Sequence, residues 1–190
     1  MVLAAENGRL PDLSSFGGFA TPERRVIFSL NDLDETLPAP WEWDVKRLAA
    51  SFVVACRDNS LKEAVARDVA TTCVRTDRES MAEFSQMKTL ELWYFALAAL
   101  RDIKISIRVE TFGATEMDLY ATWCGRALAL SHARSGASTM LSGYMGKSDA
   151  FDKVIADFSV AYADQNERDH AALDRAVRQG EVQAVLEETV

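Results

Sequence analysis

The sequence predicts a mainly α fold with two or three short strands, on three observations. Apolar residues recur at helical spacing through most of the chain, strand-like runs are confined to two short stretches, and the 190 residues include only four prolines. That length suffices for one domain with a real core. The chain divides into an irregular N-terminal segment (1–22, with Gly8, Pro11, Gly17, Gly18 and Pro22), a single helical domain (23–180) and a tail (181–190).

The elements follow in order. Val26 to Leu30 is a short, largely apolar run that reads as a buried strand. A loop over 31–42 carries Pro38 and Pro40. A helix begins at about Asp44, because Val45, Leu48, Ala49, Phe52 and Cys56 form one apolar stripe. Asp58, Asn59 and Ser60 break it, and Asn59 or Ser60 is suited to cap the next helix. That helix runs from Leu61 to about Phe84, with Val65, Val69, Cys73 and Met81 inward. Thr89 caps a third, Leu90 to Leu100.

The period then changes. Ile103, Ile105, Ile107 and Val109 alternate with Lys104, Ser106, Arg108 and Glu110, a strand with one wet face. Thr115 to about Ala133 reads as a helix with two apolar faces. Met117, Tyr120, Cys124, Ala127, Leu128 and Ser131 make one; Leu119, Trp123 and Leu130 make the other, which predicts a central position. Gly136 to Gly146 reads as a small-residue loop. Ser148 opens an amphipathic helix with Phe151, Val154, Ile155, Phe158 and Tyr162 on its apolar side. Asn166 to Glu188 is more helix, polar and acidic, with Gly180 as a stop.

Charge bounds the partners. The net charge is -8, and from Asp149 onward ten acids stand against four bases. With no block of Lys or Arg, neither nucleic acid nor an anionic membrane is expected to bind. Cys56, Cys73 and Cys124 are far apart and form no C-x-x-C, so they read as buried free thiols in a reducing compartment. No signal-peptide pattern opens the chain and no apolar run nears the ~20 residues of a membrane span, so a cytoplasmic protein is expected.

The densest chemical feature lies between Val26 and Phe52. Asp32, Asp34, Glu35, Glu42 and Asp44 fall within thirteen residues with no base among them. An EF-hand fails, since the obligatory glycine position is Leu37 and the bidentate acid position is Trp43. A divalent cation held by one or two carboxylates and phosphate oxygens fits better. The alternative is that Glu42 or Asp44 favours a helix start while Asp34 and Glu35 face water. Gly146-Lys147-Ser148 matches only the end of a phosphate-binding loop: its first glycine position is Leu141, and Ser148 as a helix cap accounts for the stretch. His132 lies near a helix C-terminus, where a basic group favours the dipole, and His170 lies on a solvated face.

Six stretches carry a resemblance to a known family. Phe16-Gly17-x-Phe19-Ala20-x-Pro22-Glu23-Arg24-Arg25, Asn31 through Pro38, and Trp43 through Ala49 resemble the bacterial domain-of-unknown-function family numbered 2252. His132-Ala133-Arg134-Ser135-Gly136, Gly146 through Asp152 and Tyr162 through Asp169 resemble its carboxy-terminal end. The family's motifs look like those of kinase-like phosphotransferases of the aminoglycoside-kinase type. The resemblance therefore implies a helical lobe like the larger lobe of a kinase-like fold. It makes Asp32 the metal acid, Asp34 a second ligand, and Asp44 a structural acid at a helix start.

The departures from that pattern also carry implications. The family's G-D-x-H-x-x-N-F-G stretch, anchored on Phe16-Gly17, places Leu10 at the catalytic Asp position and Ser15 at the Asn position. A glycine-rich segment and a Lys that would cover and clamp phosphates are missing between the two halves. The chain thus resembles two ends of a longer protein joined. The expectation is a shortened, kinase-like protein without independent catalytic activity, with weak Mg²⁺ binding at Asp32 and Asp34 and ATP doubtful. The alternatives are an ATP/Mg-dependent phosphotransferase completed by a partner chain, and a non-catalytic helical interaction protein. A lobe without its covering part is expected to self-associate or to take a partner chain.

Overall fold

The computed structural model describes residues 13, 16–20, 26–30, 40–88 and 104–182. Among them are three strands and five α-helices: β1 (Phe16–Ala20), β2 (Val26–Leu30), α1 (Glu42–Asp58), α2 (Glu63–Phe84), β3 (Lys104–Ser106), α3 (Ala114–His132), α4 (Ser138–Met145) and α5 (Ala150–Arg178). The chain is mainly helical with a small sheet, as expected. The anticipated helix over 90–100 lies outside the described residues.

The sheet has the order β2-β1-β3 with both pairs antiparallel. Phe16 pairs with Leu30 and Gly17 with both Ser29 and Ser106. Part of the segment read as irregular is therefore the central strand. Its two glycines hide the signal, because strand propensity resides in branched and aromatic side chains that glycine lacks. The alternating run from Ile103 to Val109 is paired only over Lys104–Ser106, and Val109–Thr111 turns as a 3₁₀ helix.

Helix α2 is the axis of the bundle and packs against α1, α3, α4 and α5. Its closest neighbour is α3, at Gly125: a Cβ there would lie 2.3 Å from the Cys73 carbonyl oxygen. On α1 the expected stripe is fully inside, with Val45, Leu48, Ala49, Phe52 and Cys56 all buried. On α2, Val69, Cys73 and Met81 are buried and Val65 is half-buried.

Five expectations need correction. Neither Asn59 nor Ser60 caps α2, whose N-cap is Lys62 without a side-chain bond. Instead the Asn59 amide donates to the Val109 and Phe112 carbonyls at 2.7 and 3.0 Å, tying the 3₁₀ segment to the end of α1. The region 136–146 is not a loop: a π-helical turn (Ala133–Ala137) runs straight into α4. The N-cap of α5 is Asp149 rather than Ser148, and Lys153 pairs with it at 2.6 Å. Helix α3 buries one face, not two. Met117, Tyr120, Cys124 and Leu128 are inside, while Leu119 and Trp123 stay about half exposed, Trp123 leaning on Phe28 of the sheet.

The last correction concerns α5. Its core-facing residues are Asp152, Ile155, Ala156, Ser159 and Ala163, whereas Val154, Phe158 and Tyr162 are exposed. Small side chains let the helix approach α1 and α2 closely, and the large apolar ones are left on its flank. The helix is otherwise continuous through the acidic region and stops before Gly180, whose φ of 75° is the left-handed conformation glycine adopts at such ends.

Candidate functional site

Apolar stripes on four helices are each interrupted by a charged or ionisable residue, and the interruptions meet. Asp44 lies in the first turn of α1, Asp77 and Arg78 at mid-length on α2, His132 at the end of α3, and Asp152 in the first turn of α5. All five are buried. Asp44 and Asp152 are held inside at helix N-termini, where the dipole favours a carboxylate. His132 sits at a C-terminus, where the dipole favours an imidazolium.

Two pairs organise the cluster. His132 Nε2 and Asp44 Oδ2 are 3.1 Å apart. The Arg78 fork donates from Nε and its terminal nitrogen to both oxygens of Asp152, at 2.8 and 2.9 Å. Such a bidentate charged pair combines strength with a fixed geometry. Trp41 closes the His132 side. Its ring meets the imidazole edge-on at 6.0 Å, stacks on Phe151 at 5.9 Å and touches Tyr144 edge-on.

Asp77 lies within the electrostatic reach of both pairs, and neither of its carboxylate oxygens has a hydrogen-bond partner. Burial pushes its pKa from 3.8 to about 7; His132 opposes the rise, and Asp152 and Asp44 add to it. Burial also raises Asp44, against the hydrogen bond and charge of His132. Three acids face one permanent cation and one titratable base. The acids outnumber the permanent cation, and a proton on Asp77 reduces that excess, which its dry surroundings favour.

The turn after His132 is π-helical, a widening often found at functional positions. It carries Arg134, whose Nε is buried without a hydrogen-bond partner and whose guanidinium is held below its usual pKa by desolvation. The three cysteines are free and buried, and burial pushes the Cys56 thiol up to about 11. That leaves them as thiols rather than nucleophilic thiolates.

The residues singled out in the sequence fare differently. Asp32 and Asp34, the expected metal acids, lie outside the described residues, as do Leu10, Ser15 and Glu35. Asp44 stands at the start of α1 as expected, in the core and paired with His132. His132 was expected to complement a helix dipole, and it does so from the interior with a carboxylate partner. Gly146, Lys147 and Ser148 are exposed. Among the described residues no three His, Cys, Asp or Glu side chains converge as metal ligands. Asp77, Arg78 and Asp152 had not been singled out. The signal for Asp77 was present: it is four residues from both Cys73 and Met81, an acid on an apolar stripe.

Fold and site together define a helical domain whose core holds a buried charge cluster. The family model described as an uncharacterised protein conserved in bacteria (DUF2252) matches residues 13–99 and 94–176, and the chain belongs to that family. No curated protein and no solved structure matched it. Among the described residues no helix is long and apolar enough to cross a membrane.

Proposed function

We propose that the chain is a shortened, kinase-like helical protein without independent phosphotransferase activity, in which the buried charge cluster is structural. The observation that carries this reading is Asp44. The kinase-like resemblance gives it a structural role at a helix start, and it stands fully buried at the start of α1, bonded to His132. The two separate stretches of the family match support the shortening, since a chain lacking an internal part aligns in two pieces. The acid pair Asp32 and Asp34 then remains as a weak Mg²⁺ site without the parts that position a phosphate.

The test is thermal melting and ATP turnover of the whole chain with millimolar ATP and Mg²⁺. A ligand selective for the native state raises apparent stability. The expected outcome is a small Mg²⁺-dependent rise that Asp32→Asn removes, and no phosphoryl transfer. Turnover near the ~1–100 s⁻¹ of ordinary kinases by the chain alone overturns the proposal. A Mg²⁺ response that survives Asp32→Asn removes that residue's metal role.

A further inference from the structure

Val154, Phe158 and Tyr162 of α5 leave the core and form a surface. Phe158 and Tyr162 stack with ring centroids 5.8 Å apart, and Lys46 Nζ lies 5.4 Å above the Phe158 ring. Across the seam Trp43 of α1 is 50 % exposed, and Val154 is 64 % exposed. Two adjoining hollows, of about 330 and 350 Å³, share Trp43 and Lys46. Phe158 and Tyr162 line the first; Glu42, Tyr144 and Val154 line the second. Scattered exposed apolar residues are ordinary, but a contiguous aromatic run is an interaction surface. Two adjacent helices presenting residues at i, i+3 and i+4 spacing offer the grooves that further helices pack into.

We propose that this α1/α5 face is the contact between two copies of the chain, related by a two-fold axis close to Trp43. The charge pattern selects a second copy. A patch of one sign calls for a partner of the opposite sign. Here Glu42 and Lys46 both border the same hollow, one helical turn apart on α1 and on either side of Trp43 in sequence. A two-fold axis between them brings Glu42 of each copy opposite Lys46 of the other. One surface then complements itself, as an isologous interface requires. The aromatic centre supplies the desolvated contact, and the two symmetry-related ion pairs fix its register. This inference does not rest on the kinase-like reading.

Sedimentation velocity over a series from micromolar to hundreds of micromolar tests it. The wild-type chain is expected to pass from monomer to dimer, and Phe158→Asp to stay monomeric with unchanged helicity by circular dichroism. Tyr162→Asp is the second disrupting variant should Phe158→Asp fold poorly. E42K and K46E, each alone, place like charges face to face and weaken the dimer by about tenfold or more. Mixed one to one, they restore a heterodimer, because the opposed charges again differ in sign. A wild-type chain monomeric throughout overturns the proposal. So does a dimer that survives both aspartate variants, an assembly beyond two copies, or a mixture no tighter than its components.

Discussion

Replacing Asp77 with Asn separates the chemistry of the cluster from its packing. Asp77 is 1 % exposed with neither oxygen hydrogen-bonded. Its carboxyl holds a proton to about pH 7 in the fold, against 3.8 for the ordinary group. Between those values the folded state binds more protons than the unfolded state, so stability falls as pH rises. About three pKa units at ~1.4 kcal/mol each make the full loss about 4 kcal/mol above pH 7. Asn matches the protonated acid in size and polarity and cannot ionise. Asp77→Asn is therefore expected to exceed the wild type by about 1–2 kcal/mol at pH 5, where part of the loss has already occurred, and by about 4 kcal/mol at pH 8. The groups that act on it (Asp44 on α1, His132 on α3 and Asp152 on α5) are the same in both proteins. Urea midpoints at pH 5, 6, 7 and 8, with m unchanged between the proteins, give the comparison. A wild type more stable than the variant at pH 8, or a difference that does not vary with pH, refutes the argument: the acid would then be ionised and well partnered.

Three further outcomes follow from the packing. Asp152→Asn strips the buried Arg78 guanidinium of its carboxylate and is expected to cost about 3–5 kcal/mol, on the order of 10 °C in Tm by thermal scanning. Gly125→Ala drives a methyl into the Cys73 carbonyl at the α2/α3 crossing, and a stability loss of at least about 1–3 kcal/mol by urea unfolding is expected because the obstacle is backbone. Cys56, Cys73 and Cys124, all buried, should react with an aromatic disulfide reagent only at the rate of unfolding; one thiol reacting at once in the native protein would contradict their burial.

Much of the helical pattern was legible because periodicity reports which residues share a side. The α1 stripe is buried as read, and α2 and α5 end close to where Phe84 and Gly180 place them. What periodicity lacks is a statement of which neighbour a side meets. On α3 it marked two apolar sides, and the bundle took only the one containing Gly125, where α2 comes closest. The cluster was hidden for the same reason. Asp44 and His132 are 88 residues apart, and Arg78 and Asp152 are 74 apart. Asp44 and His132 read as helix-end charges, and nothing marked Arg78 or Asp152, because each one's partner lies on another helix. Glycine hid β1, and the small residues between Gly136 and Gly146 looked like loop although Ser138–Met145 is helical.

The cluster also explains why the apolar stripe of α5 lies outside. At about 100° of rotation per residue, Asp152, Ala156, Ser159 and Ala163 centre on one direction, and Phe151, Val154, Ile155, Phe158 and Tyr162 centre about 100° away. Rotating the helix by one residue's step would bury more apolar area. It would also pull Asp152 out of the core and leave Arg78 charged and unpaired in dry surroundings, and breaking one half of a buried pair costs about 3–5 kcal/mol. The small residues at 156, 159 and 163 add to the preference, since they alone permit the close approach to α1 and α2. Burial of the bidentate pair thus favours this rotation of α5, together with the small residues and the Arg57 ion pairs to Asp164 and Glu167, and the aromatic stripe is exposed as a consequence. The residues that make the interior polar and those that make the surface apolar are two sides of one helix.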